Sequence, residues 1–172
     1  ESEVISVFFG GGTPSAVDAG MLARVMEKLR SKYVFSEDAE ITLEANPGTL
    51  DAEKLKCYRK SGFNRISIGC QSFHEEELKR LGRIHTFAEF QESFALARDA
   101  GFANINVDLM SGLPEQSEEK WEESLRTIAE LSPEHISAYS LIVEPGTLFA
   151  EQKLDLPDED TEREMYARTA GI

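Results

Sequence analysis

The stretch Phe9-Gly-Gly-Gly-Thr-Pro-Ser15 directly follows the apolar run Val4-Ile-Ser-Val-Phe8, and the two together decide the fold. The apolar run predicts a buried β-strand. Three glycines at its end expose backbone N–H and C=O groups to any ligand that lies over the carboxyl end of the strand. Pro14 and Ser15 then begin a helix, and loops between a strand and a helix are where α/β proteins bind ligands. The alternative is a tight turn that binds nothing.

Four further segments rich in β-branched residues also read as strands. The five predicted strands are Val4–Phe9, Glu40–Glu44, Arg65–Gly69, Asn104–Met110 and His135–Ile142. The segments between them are long enough for one helix each, which favours strand–helix–strand crossovers and a parallel sheet. We therefore predict an α/β fold, a partial (β/α) barrel of parallel strands, with residues 1–172 as a single domain.

Apolar residues at helical spacing predict three of the helices. The three stripes are Leu22, Val25, Met26 and Leu29; Phe87, Phe90, Phe94 and Ala97; and Trp121, Leu125 and Ile128. Thr86 and Glu89 form a capping box for the second helix, and Ser117 begins the third. Residues 150–172 are acidic and predict a linker followed by the start of another helix.

The composition excludes several classes of function. A net charge of −14 argues against binding to nucleic acid or to an anionic membrane surface. The sequence has no apolar run of about 18 residues, so we expect no stable membrane insertion. Cys57 and Cys70 match no zinc, disulfide or redox spacing, and we expect both to be reduced core residues of a cytoplasmic protein. The chain begins without Met, and we expect it to be a piece of a longer protein.

Polar residues follow the predicted strands at their carboxyl ends, which meet at one face of a parallel barrel. Thr13 follows the first strand, Glu44 ends the second, Gln71 follows the third and Asp108 lies in the fourth. Ribose hydroxyls or an ammonium group would satisfy the two carboxylates, which are costly to bury without hydrogen bonds. The alternative is that each polar group caps a neighbouring helix or accepts a hydrogen bond from a loop N–H.

Arg83 lies in a predicted loop between helices, where it either binds a ligand carboxylate or forms a weak surface ion pair. The three histidines have no ligand spacing among them, so no residue of this segment is predicted to bind a metal. The glycines match neither a phosphate-binding Walker loop nor a dinucleotide fingerprint, and no nucleophile elbow is present. No residue is predicted to be catalytic.

Five motifs occur in order along the chain. They are Phe9-Gly-Gly-Gly-Thr-Pro-Ser15, Glu44-Ala-Asn-Pro-Gly48, Asn64-Arg-Ile-Ser-Ile-Gly-Cys-Gln-Ser-Phe73, Leu81-Gly-Arg-Ile-His85 and Asp108-Leu-Met-Ser-Gly-Leu-Pro114. Together they resemble the radical S-adenosylmethionine (SAM) proteins of the oxygen-independent coproporphyrinogen III oxidase group, and most of all its haem chaperone branch. The resemblance implies an incomplete, roughly six-stranded barrel, of which this chain would supply about five strands.

The resemblance also implies a cofactor set and roles for individual residues. Gly11, Gly12 and Thr13 match a motif whose backbone holds the methionine part of SAM, and Glu44 matches a carboxylate that contacts the same molecule. Three positions that contact a second SAM in the oxidase correspond to Gln71, Arg83 and Asp108. A [4Fe–4S] cluster binds a Cys-x3-Cys-x2-Cys loop that this segment lacks, so we expect the segment alone to be inactive.

Three functions remain open at this point. The resemblance favours a haem chaperone that binds SAM, a cluster and haem, and that meets an electron-donor protein and a haem-acceptor protein. The second function is an oxidase, in which a radical derived from SAM starts oxidative decarboxylation of propionate side chains of coproporphyrinogen III. The third is a barrel enzyme that binds a phosphate ligand on the glycine loop without any cluster.

Overall fold

The computed structural model describes residues 2–172 and contains a five-stranded parallel sheet. The strands are β1 (Val4–Phe9), β2 (Phe35–Ala45), β3 (Arg65–Gln71), β4 (Ile105–Ser111) and β5 (His135–Ser140). Each strand pairs in parallel with the next one along the chain. The sheet curls into a half-barrel with helices packed against it, which confirms the predicted fold class.

Six helices connect and flank the strands. They are α1 (Ala19–Arg30), α2 (Ala52–Lys60), α3 (Glu75–Arg80), α4 (Phe87–Asp99), α5 (Glu118–Glu130) and α6 (Glu159–Thr169). The predicted helix start at Pro14 is a short 3-10 turn, and α1 begins after the N-cap Asp18. Thr86 and Glu89 form the predicted capping box, and Ser117 caps α5. Among residues 2–172, no helix combines the length and the apolar character needed to cross a bilayer.

Side chains alternate between the two faces of the sheet, and this alternation positions both the core and the candidate site. On the face that packs against the helices, apolar side chains such as Leu43, Ile68 and Val107 are fully buried. Their neighbours along each strand therefore point to the inner face of the half-barrel. These neighbours are largely polar, and they include Glu44 and Asp108.

The first strand is more exposed than its apolar sequence predicts. Ile5 is 73% exposed and Phe8 is 60% exposed, whereas Val7 and Phe9 pack against the core. In the described sheet β1 pairs with β2 alone and is an edge strand. Phe8 pairs with Thr42 of β2 and points to the inner face of the half-barrel, opposite the core. The prediction of a buried strand is therefore correct for Val7 and Phe9 and wrong for Ile5 and Phe8.

Two other details differ from the sequence-based expectations. Val25 is exposed, although Leu22 and Met26 in the same stripe are buried. It lies about 60° around the helix from Leu22, at the margin of the buried face. Strand β2 also begins well before Glu40, because its early residues pair with β1 across a bulge. This pairing overrides the low strand propensity of acidic residues.

The acidic segment 150–172 ends in α6, which packs on α5. Met165 is 1% exposed, and its backbone carbonyl accepts a hydrogen bond of 3.0 Å from Nε1 of Trp121. Arg168 forms ion pairs with Glu118 and Glu122 on the neighbouring helix. One buried side chain and a small charged cluster thus attach α6 to the domain.

We expect Met165→Ala to lower the free energy of unfolding of the 172-residue chain by about 2 kcal/mol or more, because it leaves a cavity beside Trp121. Urea unfolding followed by tryptophan fluorescence measures this change, since Trp121 is the sole tryptophan of the chain. Tyr166→Ala is the matched control, because Tyr166 is 79% exposed on the same helix. Equal stabilities for the two variants would contradict the packing of α6.

Candidate functional site

A cleft of about 270 Å³ lies on the inner face of the half-barrel, at the carboxyl ends of the strands. The residues that line it come from the loop after β1, the ends of β2 to β5 and the loop between α3 and α4. All seven residues singled out from the sequence lie along this one cleft: Gly11, Gly12, Thr13, Glu44, Gln71, Arg83 and Asp108.

The glycine loop presents bare backbone to the cleft. A Cβ atom built on Gly11 or Gly12 would meet no atom within 4 Å, so the space beside both residues is open. Gly11 has φ +124°, a conformation that glycine adopts without strain. Gly10 is a glycine for a different reason, since a larger residue would not fit. A Cβ there would lie 2.7 Å from the Phe8 ring and 3.0 Å from Oε2 of Glu44.

The loop after β1 is held against the loop after β2 by a set of hydrogen bonds, most of them partly buried. The Ser15 hydroxyl lies 2.6 Å from the Thr49 hydroxyl and accepts a hydrogen bond from the backbone N–H of Asn46. Asn46 Nδ2 also donates to Thr13 Oγ1 at 3.0 Å. On the cleft side, the N–H of Gly11 donates to Oε2 of Glu44 at 3.2 Å. These bonds hold the glycine backbone and the Glu44 carboxylate in one arrangement.

Asp108 is held by a network of neutral polar side chains on the inner face. The Ser67 hydroxyl lies within hydrogen-bond distance of both carboxylate oxygens, at 3.2 and 3.1 Å. Asn106 Nδ2 donates to Oδ1 at 2.7 Å, and the Ser137 hydroxyl donates to Oδ1 of Asn106 at 2.9 Å. The network spans β3, β4 and β5 and fixes the direction of the carboxylate.

Burial raises the pKa of Asp108, because a desolvated carboxylate loses much of its hydration. The hydrogen bonds from Ser67 and Asn106 oppose this shift, and the negative charge of Glu44 reinforces it. No lysine or arginine pairs with Asp108 among residues 2–172. The cleft therefore contains two carboxylates that a bound cation would stabilise.

Gln71 reaches the cleft through an unusual backbone conformation. It is 3% exposed and has φ +71°, directly after an irregularity in the pairing of β3 with β4. Positive φ costs a non-glycine residue roughly 1 kcal/mol or more. Its side-chain oxygen accepts a hydrogen bond of 2.9 Å from the Tyr139 hydroxyl. The following residue, Ser72, instead bonds locally to the buried Glu77.

Arg83 lies half-buried at the cleft, in the loop between α3 and α4. Of the two alternatives that the sequence left open, the surface ion pair is not formed: no carboxylate within residues 2–172 pairs with this guanidinium. A guanidinium donates in a planar fork that matches carboxylates and phosphates. The cleft thus offers one cationic group besides its two anionic ones.

The described residues do not offer an iron–sulfur site. Cys57 is half-buried on α2 and Cys70 is fully buried on β3. Desolvation strongly raises the pKa of the Cys70 thiol, whereas a metal ligand must be a thiolate. Residues 2–172 contain no group of three or more His, Cys, Asp or Glu side chains that could hold a metal ion. Residues 2–172 therefore do not supply the set of thiolates that a [4Fe–4S] cluster needs.

Besides Pro14 and Ala45, four residues that line the cleft were not singled out as site residues from the sequence: Asn46, Ser67, Gly69 and Tyr139. The first three had a detectable signal. Asn46 lies in a quoted motif, and Ser67 and Gly69 alternate with apolar residues along β3, which places them on the inner face with Gln71. The sequence carried no signal for Tyr139, because its hydrogen-bond partner Gln71 lies on another strand, far away in the sequence.

The arrangement suits a ligand that is both charged and polar. Glu44 and Asp108 can bind a cation or accept hydrogen bonds from hydroxyl groups, and Arg83 can bind a carboxylate. The open backbone at Gly11 and Gly12 can approach a ligand more closely than side-chain groups can. A molecule with an amino-acid part, a cationic centre and ribose hydroxyls has matching chemistry.

Comparisons with known proteins place the chain in a family. The sequence profile of the radical SAM superfamily matches residues 1–128. Heme chaperone HemW of Haemophilus influenzae is 48% identical over 155 residues, which cover 90% of this chain and 40% of that protein. Heme chaperone HemW of Escherichia coli is 48% identical over 158 residues, which cover 92% and 42%. The chain thus spans less than half the length of these curated relatives.

A solved structure with a similar fold is that of coproporphyrinogen III oxidase (HemN) from Escherichia coli, described as a radical SAM enzyme. The two superpose with a TM-score of 0.87 and 31% sequence identity, over 98% of this chain and 40% of the oxidase chain. These matches confirm the resemblance found in the five sequence motifs. On the strength of the superfamily match over residues 1–128, this chain belongs to the radical SAM superfamily.

Proposed function

We propose that this chain is the SAM-binding part of a haem chaperone. The observation that carries the proposal is the cleft itself, in which bare glycine backbone, two carboxylates and a guanidinium that forms no ion pair within residues 2–172 face one space. The Glu44 carboxylate and the backbone of Gly11, Gly12 and Thr13 would hold the methionine part of SAM. Gln71, Arg83 and Asp108 would bind other polar groups of the same molecule or of a second SAM.

The chemistry of the side chains supports SAM over a phosphate ligand. A phosphate site needs several donors and tolerates few anions, because like charges within a few ångströms repel strongly. Here Glu44 already accepts the N–H of Gly11, and Asp108 adds a second negative charge. A sulfonium and an ammonium group would instead be attracted by both. We therefore set aside the phosphate-binding enzyme.

A [4Fe–4S] cluster would bind to residues outside this segment. When SAM and such a cluster are bound together in this superfamily, the cofactors supply the radical chemistry. The residues of this chain would bind and orient SAM, and the partly buried network around Asp108 would fix the direction of its carboxylate. No side chain of this chain is assigned a proton-transfer step.

The choice of haem chaperone over oxidase rests on sequence similarity. The chain is 48% identical to two proteins named heme chaperone HemW and 31% identical to coproporphyrinogen III oxidase. The oxidase remains the second candidate, because its fold matches over 98% of this chain. As a chaperone, the full-length protein would bind haem in the cytoplasm, receive electrons from a donor protein and pass haem to an acceptor protein.

Anaerobic turnover of coproporphyrinogen III separates the two candidates. The full-length protein that carries this sequence is reconstituted with its cluster and supplied with SAM and a reductant. We expect no decarboxylated porphyrinogen by mass spectrometry, together with saturable binding in a haem titration. Decarboxylated product would make the protein an oxidase and overturn the chaperone assignment.

Glu44→Gln is expected to weaken SAM binding about tenfold or more, because the variant loses a charge-assisted hydrogen bond. Isothermal titration calorimetry of the full-length protein measures the dissociation constant. Glu37→Gln is the matched control, since Glu37 is an exposed glutamate of the same strand. If Glu44→Gln and Glu37→Gln bind SAM equally well, Glu44 does not contact the ligand.

Gly12→Val is expected to abolish measurable SAM binding while leaving the melting temperature nearly unchanged. A Cβ at this position has no other atom within 4 Å apart from those of the adjacent residues, so the fold leaves room for the added side chain. That side chain would occupy the space through which the ligand reaches the backbone. Normal affinity in a folded Gly12→Val protein would reduce the glycine loop to a simple turn.

SAM affinity is expected to fall on acidification, at a higher pH than an aspartate with an ordinary pKa would give, because Asp108 takes up a proton through its raised pKa and loses its charge. Stability should respond in the opposite direction. Since folding raises this pKa, the folded state binds the proton more tightly than the unfolded chain does. The contribution of Asp108 to stability is therefore present at low pH and is lost as the pH rises through the folded-state pKa.

Asp108→Asn tests both halves of this prediction. The variant should bind SAM weakly at neutral pH, should lose the acid limb of the affinity profile, and should unfold at an equal or higher urea concentration than the wild type. Asp99→Asn, at the exposed end of α4, is the control and should behave like the wild type. An unchanged acid limb in Asp108→Asn would assign the pH dependence to another group.

A further inference from the structure

The side-chain amide of Gln71 is held in a clamp between Tyr139 on β5 and Gly69 on its own strand, β3. The Tyr139 hydroxyl on β5 donates to Gln71 Oε1 at 2.9 Å, and this bond reaches across β4, which lies between β3 and β5. On its other side, the Gln71 amide lies over Gly69. A Cβ built on Gly69 would lie 2.8 Å from Gln71 Nε2 and 3.2 Å from Oδ1 of Asn46. Gly69 therefore leaves the room that the amide occupies.

The clamp decides which end of the amide faces the ligand. The Tyr139 hydroxyl donates to one of the two lone pairs of Oε1, whereas Nε2 has no hydrogen-bond partner within residues 2–172 and is the donor left for a ligand. The left-handed backbone of Gln71 adds to this, because it aims the side chain into the cleft at a cost in free energy. Without the Tyr139 bond, an amide can rotate and present either its donor or its acceptor.

Tyr139 is suited to act as the fixed donor. Burial raises the pKa of its hydroxyl, and the charge of Asp108 acts in the same direction, so the hydroxyl keeps its proton at neutral pH. The nearby Arg83 and the bond to Gln71 act in the opposite direction. The Tyr139 ring itself remains partly exposed at the cleft wall, where a ligand can contact it.

We infer that Tyr139 is a positioning residue that holds Gln71 as a hydrogen-bond donor, so that the cleft selects a ligand with an acceptor at this point. The inference rests on the proposed function, in which the ligand is SAM. SAM carries such acceptors in its carboxylate, its ribose oxygens and its adenine ring nitrogens. Tyr139 thus acts through Gln71 and makes no polar bond to the ligand.

Tyr139→Phe in the full-length protein tests this inference. The variant keeps the ring and loses the hydroxyl, so we expect SAM affinity to fall about fivefold, which corresponds to about 1 kcal/mol for one hydrogen bond. Calorimetry measures the affinity. Tyr166→Phe, on the exposed face of α6, is the matched control and should bind like the wild type. Equal affinity of Tyr139→Phe and the wild type would overturn the inference.

A double-mutant cycle with Gln71→Met separates positioning from a general structural role. Methionine keeps an unbranched chain of similar length but has no amide to orient. If Tyr139 acts through Gln71, adding Tyr139→Phe to Gln71→Met should cause no further loss of affinity. A further fivefold loss in the double variant would overturn the inference, because Tyr139 would then act on something other than the amide.

Gly69→Ala gives a second way to displace the amide. The added methyl group would collide with Gln71 Nε2, and we expect a loss of affinity that again disappears in the Gln71→Met background. A loss that persists in that background would contradict the clamp.

The failure of the proposed function and the failure of the clamp can be told apart. If the wild-type protein does not bind SAM, the proposed function is wrong and so is the ligand assigned here. If the wild-type protein binds SAM and Tyr139→Phe binds it equally well, only the clamp is wrong.

Discussion

Side-chain alternation in a parallel sheet is the constraint on which the rest of this structure depends. Residues next to each other in a strand point to opposite faces, so a strand such as β3 can bury Ile66 and Ile68 against the helices while Ser67 faces inward. Parallel pairing then brings inward residues of neighbouring strands together. Ser67 pairs with Asn106, and Asp108 pairs with Ser137. The cleft and its polar lining both follow from this register.

The site keeps features that a structure selected for stability alone would lack. Asp108 carries a desolvation cost that its hydrogen bonds only partly offset, and Gln71 has a left-handed backbone. Both lie at the cleft, while the opposite face of the sheet packs an apolar core against the helices. An unfavourable local feature at a ligand cleft is typical of functional sites, where the remainder of the fold offsets its cost.

The chain is similar to two kinds of relatives, which share a fold but are named for different functions. The chain superposes on coproporphyrinogen III oxidase over almost its whole length, yet it is more similar in sequence to proteins named heme chaperone HemW. One fold can support several functions, so the shared fold does not decide between a chaperone and an oxidase. In this proposal, the cleft binds the cofactor that both kinds of protein would share. The choice of substrate would then depend on other parts of the full-length protein.

The sequence by itself determined the strands, the bare glycine loop and the polar residues at the strand ends, because strand periodicity and turn chemistry are local properties. Arg83 was assigned to the site only through the resemblance to a known family. The sequence did not determine that Val25, Ile5 and Phe8 are exposed, since exposure depends on which elements cover them. Nor did it reveal the bond from Tyr139 to Gln71 or the room that Gly69 leaves. Only the tertiary structure decided these, because they join residues of strands that pairing brings together from distant parts of the chain.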